Sequence, residues 1–273
     1  MMDLEKFLYS NEEEPLDKIV LDGGYARVFR TIGCIGDSLS SGEFESRNDE
    51  GVHGYHDYYD YSWGQFMARN AGIKVYNFSR GGMSTKWFME SFGDDCGVWT
   101  AEKRCQAYIL ALGVNDMYAK IVELGSVEDI DLEDYKNNKP TFAGYYAQII
   151  QRLKALQPDA KFFLVTLPNG INELDGDTHA KILHDMAEMF DNTYVINLRK
   201  YSPVYDSEFK KKFFVGGHMN AAGYILTAQM ITSYIDYIVR HNLEDFSQVG
   251  FIGTPHKFLE VVKKEENAQN GEQ

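Results

Sequence analysis

The chain has 273 residues, 44% of them hydrophobic, which is enough to build a sizeable core and excludes global disorder. A formal net charge of −14 argues against nucleic-acid binding, because phosphate neutralisation needs clustered Lys and Arg, and the one basic run, Lys210-Lys211-Lys212, reads as a solvated face. Three cysteines (Cys34, Cys96 and Cys105) cannot all pair, no stretch approaches membrane-spanning length, and residues 1–14 hold no apolar run long enough for a signal peptide, so a reduced, cytoplasmic setting is expected.

Apolar, β-branched or aromatic runs recur at residues 28–35, 74–78, 108–112, 162–166 and 194–198. They are nearly continuous rather than alternating, which predicts strands buried on both faces of a parallel sheet. The first, preceded by an N-terminal extension over residues 1–26, ends in Ile35-Gly36-Asp37-Ser38-Leu39, a small polar turn from strand into helix. Residues 43–61 follow as an insertion of acidic, His and Tyr side chains. The second run leads into Asn77-Phe78-Ser79-Arg80-Gly81-Gly82 and the third into Gly113-Val114-Asn115-Asp116. After a polar connection over residues 117–141, Phe142, Tyr146, Ile149, Leu153 and Leu156 recur at helical spacing behind the candidate N-cap Thr141. Ile182, Met186 and Phe190 mark the next helix. Ala228, Ile231, Ile235 and Ile238 mark a long closing helix that begins near Asn220, just after Gly217-His218-Met219-Asn220. With no internal repeat and no Gly/Ser linker, residues 1–262 read as one domain, and the charged tail at 263–273 is expected to be disordered.

Alternating strands and helices predict a doubly wound α/β sandwich, in which ligands sit at the carboxyl ends of the strands. Ser38, Gly82 and Asn115 follow the first three strands, and His218 precedes the last helix. Alone, each motif has a plainer reading as a helix cap, a glycine turn or an Asx turn. Together they supply a hydroxyl nucleophile, oxyanion donors and a general base, the parts that ester hydrolysis needs.

Their order and spacing resemble the SGNH hydrolase superfamily, the GDSL-type esterases and lipases, over residues 27–240. The resemblance implies a flavodoxin-like three-layer α/β sandwich with a five-stranded parallel sheet. It implies Ser38 as nucleophile, His218 as base, and an oxyanion hole built from the Ser38 and Gly82 backbone N–H groups and the Asn115 amide. No cofactor and no metal is expected. One departure matters: the superfamily usually carries Asp three residues before its His, and here that position is Val215. Either a main-chain carbonyl such as that of Val215 orients the ring, the alternative favoured here, or an acid elsewhere, Asp206 or Glu208 being nearest in sequence, replaces it. Met219 also stands where proline is usual.

In the insertion, His53, His56, Asp57 and Asp60 have the chemistry of zinc ligands, yet they lie among tyrosines and read better as a substrate-contacting surface. Tyr55, Tyr58, Tyr59 and, beyond the second strand, Trp87 are the candidates; Trp99 is a further ring that could stack on sugar. The expected reaction is removal of a small acyl group, acetyl being the leading choice, from a carbohydrate ester. A lysophospholipase or thioesterase is the alternative within the enzyme class. Val215 motivates the other alternative, a catalytically degraded binding protein.

Overall fold

The computed structural model describes residues 5–10, 12–171 and 174–259. The expected disorder at 263–273 therefore lies outside the described residues, as do residues 1–4 of the extension. Among the described residues the strands are, in chain order, β1 (Thr31–Gly36), β2 (Glu43–Arg47), β3 (His53–Asp57), β4 (Lys74–Ser79), β5 (Ala107–Ala111), β6 (Lys161–Val165), β7 (Thr193–Ile196), β8 (Phe214–Val215) and β9 (His218–Met219). Five of them form one sheet in the order β4-β1-β5-β6-β7, with every described pairing parallel. This is the flavodoxin-like α/β arrangement the sequence predicts, with its topological switch point between β1 and β5. The first strand begins later than the apolar run suggests, because residues Gly24–Val28 form a 3-10 turn.

Helices cover both faces of the sheet, which is why its strands read as continuous apolar runs. On one face Ile32, Cys34, Ile109 and Phe163 pack with Trp63 and Met67 of the helix Trp63–Ala71 and with Tyr224, Ile231 and Ile235 of the helix Ala221–His241. On the other, Ile35, Tyr108, Leu110, Phe162 and Leu164 meet Phe142, Tyr146 and Ile149 of Phe142–Leu156 and Ile182 and Met186 of Gly176–Met189. Successive residues of β5 and β6 thus feed alternate cores. The predicted cap is in place, Thr141 accepting the Gly144 N–H, and Asn220, near which the last helix is expected to begin, caps it by accepting the Gly223 N–H. Trp99 serves packing, with its ring against Phe88 and under the Arg152 guanidinium.

The insertion is an antiparallel hairpin, β2 against β3, with Glu45 opposite Tyr55. The alternation Glu43-Phe44-Glu45 explains the fit, because successive side chains of a strand point to opposite faces. Phe44 turns towards Tyr58, Tyr61 and Tyr224, while Glu43 and Glu45 share the other face. That face meets the small hairpin β8–β9, which carries His218.

Candidate active site

The site lies at the carboxyl end of the sheet. Ser38 opens the short helix Ser38–Ser41 directly after β1, and Asp37 caps it by accepting the Leu39 N–H at 2.9 Å. The Tyr224 hydroxyl, donated from the last long helix, reaches the carbonyls of Ser38 at 3.1 Å and Glu43 at 2.7 Å and ties the Ser38 turn to the root of the hairpin.

Gly82 lies in the loop after β4 with φ of +71°, a left-handed conformation that suits glycine, and a Cβ there would meet nothing within 4 Å. Its backbone is therefore open to the space in front of it. Among the described residues neither the Ser38 N–H nor the Gly82 N–H has a protein partner. Asn115 donates one amide hydrogen to the Met83 carbonyl at 3.0 Å, which aims the side chain at the Gly82 loop and leaves the second hydrogen free. The buried Asp116 beside it accepts from the Thr85 N–H at 3.1 Å and hydroxyl at 2.6 Å, so the two donor loops are stapled together. Burial raises the Asp116 pKa, against the Thr85 hydrogen bonds that lower it.

His218 is where sequence and structure part. Its Nε2 forms an ion pair with Glu43 Oε1 at 3.0 Å, and its Nδ1 is hydrogen-bonded to Glu45 Oε2 at 3.4 Å. Neither the Val215 carbonyl nor an acid nearby in sequence holds the ring. Asp206 spends its carboxylate capping the helix Ser207–Phe213 through the Phe209 N–H at 2.9 Å, Glu208 is exposed in that helix's first turn, and Val215 contributes only its strand pairing with His218. The ring contacts expected of Val215, Asp206 or Glu208 are made instead by two glutamates of the hairpin, 173 residues upstream in the case of Glu45. Burial opposes a charged ring, but the carboxylates of Glu43 and then Glu45 outweigh it and raise the His218 pKa above the ordinary 6.5. Glu45 is in turn held below the usual carboxylate range, first by the Gly217 N–H and also by His53 and His218. With Nε2 on Glu43, no hydrogen bond joins the ring to the Ser38 hydroxyl among the described residues. The helix that carries Ser38 nonetheless packs against β9, which carries His218.

The remaining hairpin side chains have assignments of their own. His53 Nδ1 meets Glu45 at 2.6 Å, His56 meets Ser46 at 2.8 Å, and Asp57 accepts the Ser41 hydroxyl at 2.5 Å. Tyr55, 58% exposed, stands edge-on to the His218 ring with centroids 5.5 Å apart. Tyr58, Tyr59 and Trp87 are also exposed. Sequence reasoning missed Glu43 and Glu45 altogether. The available signal was their two-residue spacing around an aromatic, a strand signature directly after the Ser38 turn.

Comparison with known proteins places this architecture. Residues 34–226 match the GDSL-like lipase/acylhydrolase family. Comparison with curated proteins by sequence gives no match. Similar solved structures include a family two carbohydrate esterase from Clostridium thermocellum in complex with cellohexaose, with 16% identity over 79% of this chain and 65% of that one and a TM-score of 0.53. A carbohydrate esterase family 2 enzyme from Corynascus thermopiles (Myceliophthora fergusii), which also carries a carbohydrate binding domain, has 14% identity over 77% of this chain and 66% of that one, with a TM-score of 0.53. A possible lipase from Chitinophaga pinensis has 15% identity over 77% of this chain and 98% of that one, with a TM-score of 0.50. At such identities these structures speak to the fold, and the family match carries the chemistry: the chain belongs to the GDSL-like lipase/acylhydrolase family and is a carboxylic ester hydrolase.

Proposed function

We propose that this hydrolase works through an acyl-enzyme on Ser38 and removes a small acyl group from a carbohydrate ester. The observation that carries the reading is the pair of unpartnered backbone N–H groups, on Ser38 and Gly82, with the free hydrogen of the Asn115 amide beside the same loop. Fixed donors of this kind stabilise the negative charge that develops on a carbonyl oxygen. Ser38 Oγ would bond to the acyl carbon while its proton passes to His218 Nε2. His218 would return that proton to the departing alcohol as the carbon–oxygen bond breaks, and water would then release the acid by the same route. Glu43 must leave Nε2 for this, a displacement consistent with catalytic hydrogen bonds that tighten only once substrate is bound.

One observation supports the carbohydrate part of the substrate class. Tyr55, exposed beside His218, offers a ring on which a sugar can stack, with Tyr58, Tyr59 and Trp87 as further exposed rings. We also read the described residues as one catalytic domain with the hairpin as its insertion, since both cores share a single sheet.

The test is a series of aryl esters of graded chain length beside acetylated sugars, with Ser38→Ala as control. Acetyl esters should be preferred, and the variant should lose turnover and labelling by a serine-directed phosphonate. Undiminished turnover in Ser38→Ala would overturn the mechanism, and a preference for long acyl chains would overturn the substrate class.

A further inference from the structure

The acid that usually orients the imidazole is missing from its place in the chain, yet the ring is not left without one. Glu45 Oε2 faces Nδ1 of His218 at 3.4 Å and accepts the Gly217 N–H at 2.6 Å, while Glu45 Oε1 meets His53 at 2.6 Å. The turn between β8 and β9 is shaped to this carboxylate. Gly216 adopts φ of +64°, and a Cβ on it would come within 2.4 Å of the Glu45 carboxylate. Glycine suits that left-handed backbone, and a side chain there would press the flexible end of Glu45 off the ring. Two contacts, at Nδ1 of His218 and at the Gly217 N–H of the same turn, converge on one carboxylate from a distant hairpin.

We propose that Glu45 is the positioning residue for His218, doing from the β2–β3 hairpin what an acid at position 215 would otherwise do. The inference rests on Ser38 and His218 acting as nucleophile and base. An acceptor at Nδ1 keeps the ring proton there, leaving the Nε2 lone pair for the serine proton, and its charge stabilises the imidazolium that forms as that proton arrives. The charged and titratable groups around the ring are Glu43 and Glu45 from β2, His53 and Tyr55 from β3, and Asp37 from the turn after β1. Of these, Glu45 is the carboxylate on Nδ1. Glu43 stands on the nitrogen that must face the substrate, so it cannot serve as the orienter in the same cycle.

Glu45→Gln keeps an oxygen for the Gly217 N–H and removes the charge. It should lower kcat on the order of 10²-fold or more, the loss of the homologous interaction being about 10⁴-fold in the well-studied serine proteases. The acid limb of the kcat/KM profile should move to lower pH, because one of the two carboxylates that hold the ring's proton is gone. A carboxylate that only docked the hairpin would change KM or thermal stability and leave that limb in place, which would overturn the proposal. So would full activity in Glu45→Gln. Asp206→Asn and Glu208→Gln should retain wild-type kcat, and a large loss in either would transfer the role away from Glu45. If Glu45→Gln does not fold, nitrogen-15 spectra of histidine in Glu43→Ala, where Nε2 has lost its carboxylate, decide: neutral His218 should carry its proton on Nδ1, and a proton on Nε2 would refute the assignment. Turnover surviving in Ser38→Ala would remove the nucleophile and this inference with it. Loss of turnover in Ser38→Ala with a normal Glu45→Gln would remove this inference alone.

Discussion

Asp37 is 1% exposed, caps the Ser38 turn through one oxygen, and has no partner for Oδ2 among the described residues. Burial pushes its carboxyl from the ordinary 3.8 up to about 7, against the Leu39 N–H that lowers it, with Asp116 and Glu43 adding to the rise and His218 opposing it. A protonated carboxyl with one oxygen hydrogen-bonded to the backbone fits that environment. As pH rises from about 4 to about 7, the unfolded chain releases a proton that the folded chain keeps, so Asp37 costs stability progressively across that window and most above it. A displacement of about three pH units corresponds to roughly 4 kcal/mol, at about 1.4 kcal/mol for each. Asn has the same shape, caps helices as well as Asp does, and does not titrate. Asp37→Asn should therefore raise Tm at pH 8 by on the order of 10 °C, at about 2–4 °C per kcal/mol, and change it little at pH 4. Calorimetry or circular dichroism of both proteins at the two pH values gives the difference directly. A loss at pH 8 would show that Asp37 is held as a carboxylate, and a gain of equal size at pH 4 and pH 8 would show that its titration does not set stability; either would refute the reasoning.

Asn115→Ala should lower kcat by about 10²–10³ with KM nearly unchanged, because a donor to developing charge matters more in the transition state than in the bound ester; a change confined to KM would make Asn115 a substrate-binding group. Glu43→Gln should move the acid limb of kcat/KM to lower pH: the base must be neutral, Glu43 helps hold its pKa up, and loss of that charge lets the ring deprotonate sooner. Gly81→Ala should act in the same direction, since its Cβ would lie 2.0 Å from Glu43 Oε2, the far end of a flexible side chain that can be driven off the ring. Unshifted pH profiles in both variants would remove Glu43 from the control of His218. Gly82→Ala has room for its Cβ and should cost only about 1–2 kcal/mol for the left-handed backbone, measured by denaturant unfolding, while losing activity out of proportion to that cost; full activity would dissociate Gly82 from the oxyanion site.

Short-range patterns carried most of the architecture. The five apolar runs become the five strands because burial on both faces demands continuous apolar sequence, and alternate residues of β5 and β6 do enter different cores. Ser38, Gly82 and Asn115 were legible as site candidates for a related reason: each directly follows a strand, and a parallel sheet brings the carboxyl ends of its strands to one edge. The partners of the imidazole were not legible. Sequence proximity favoured Val215, Asp206 and Glu208, but Asp206 is consumed by a helix cap, and the groups that reach the ring come from a hairpin 173 residues away. Nothing local to Glu45 distinguishes it from any other glutamate on an exposed strand. Its contact with His218 exists only because β2 docks against β8 and β9, and because Gly216 and Gly217 leave the space and the N–H that receive it. A pattern of period two could place Glu43 and Glu45 on one face of a strand, whereas which face meets which histidine was decided by packing.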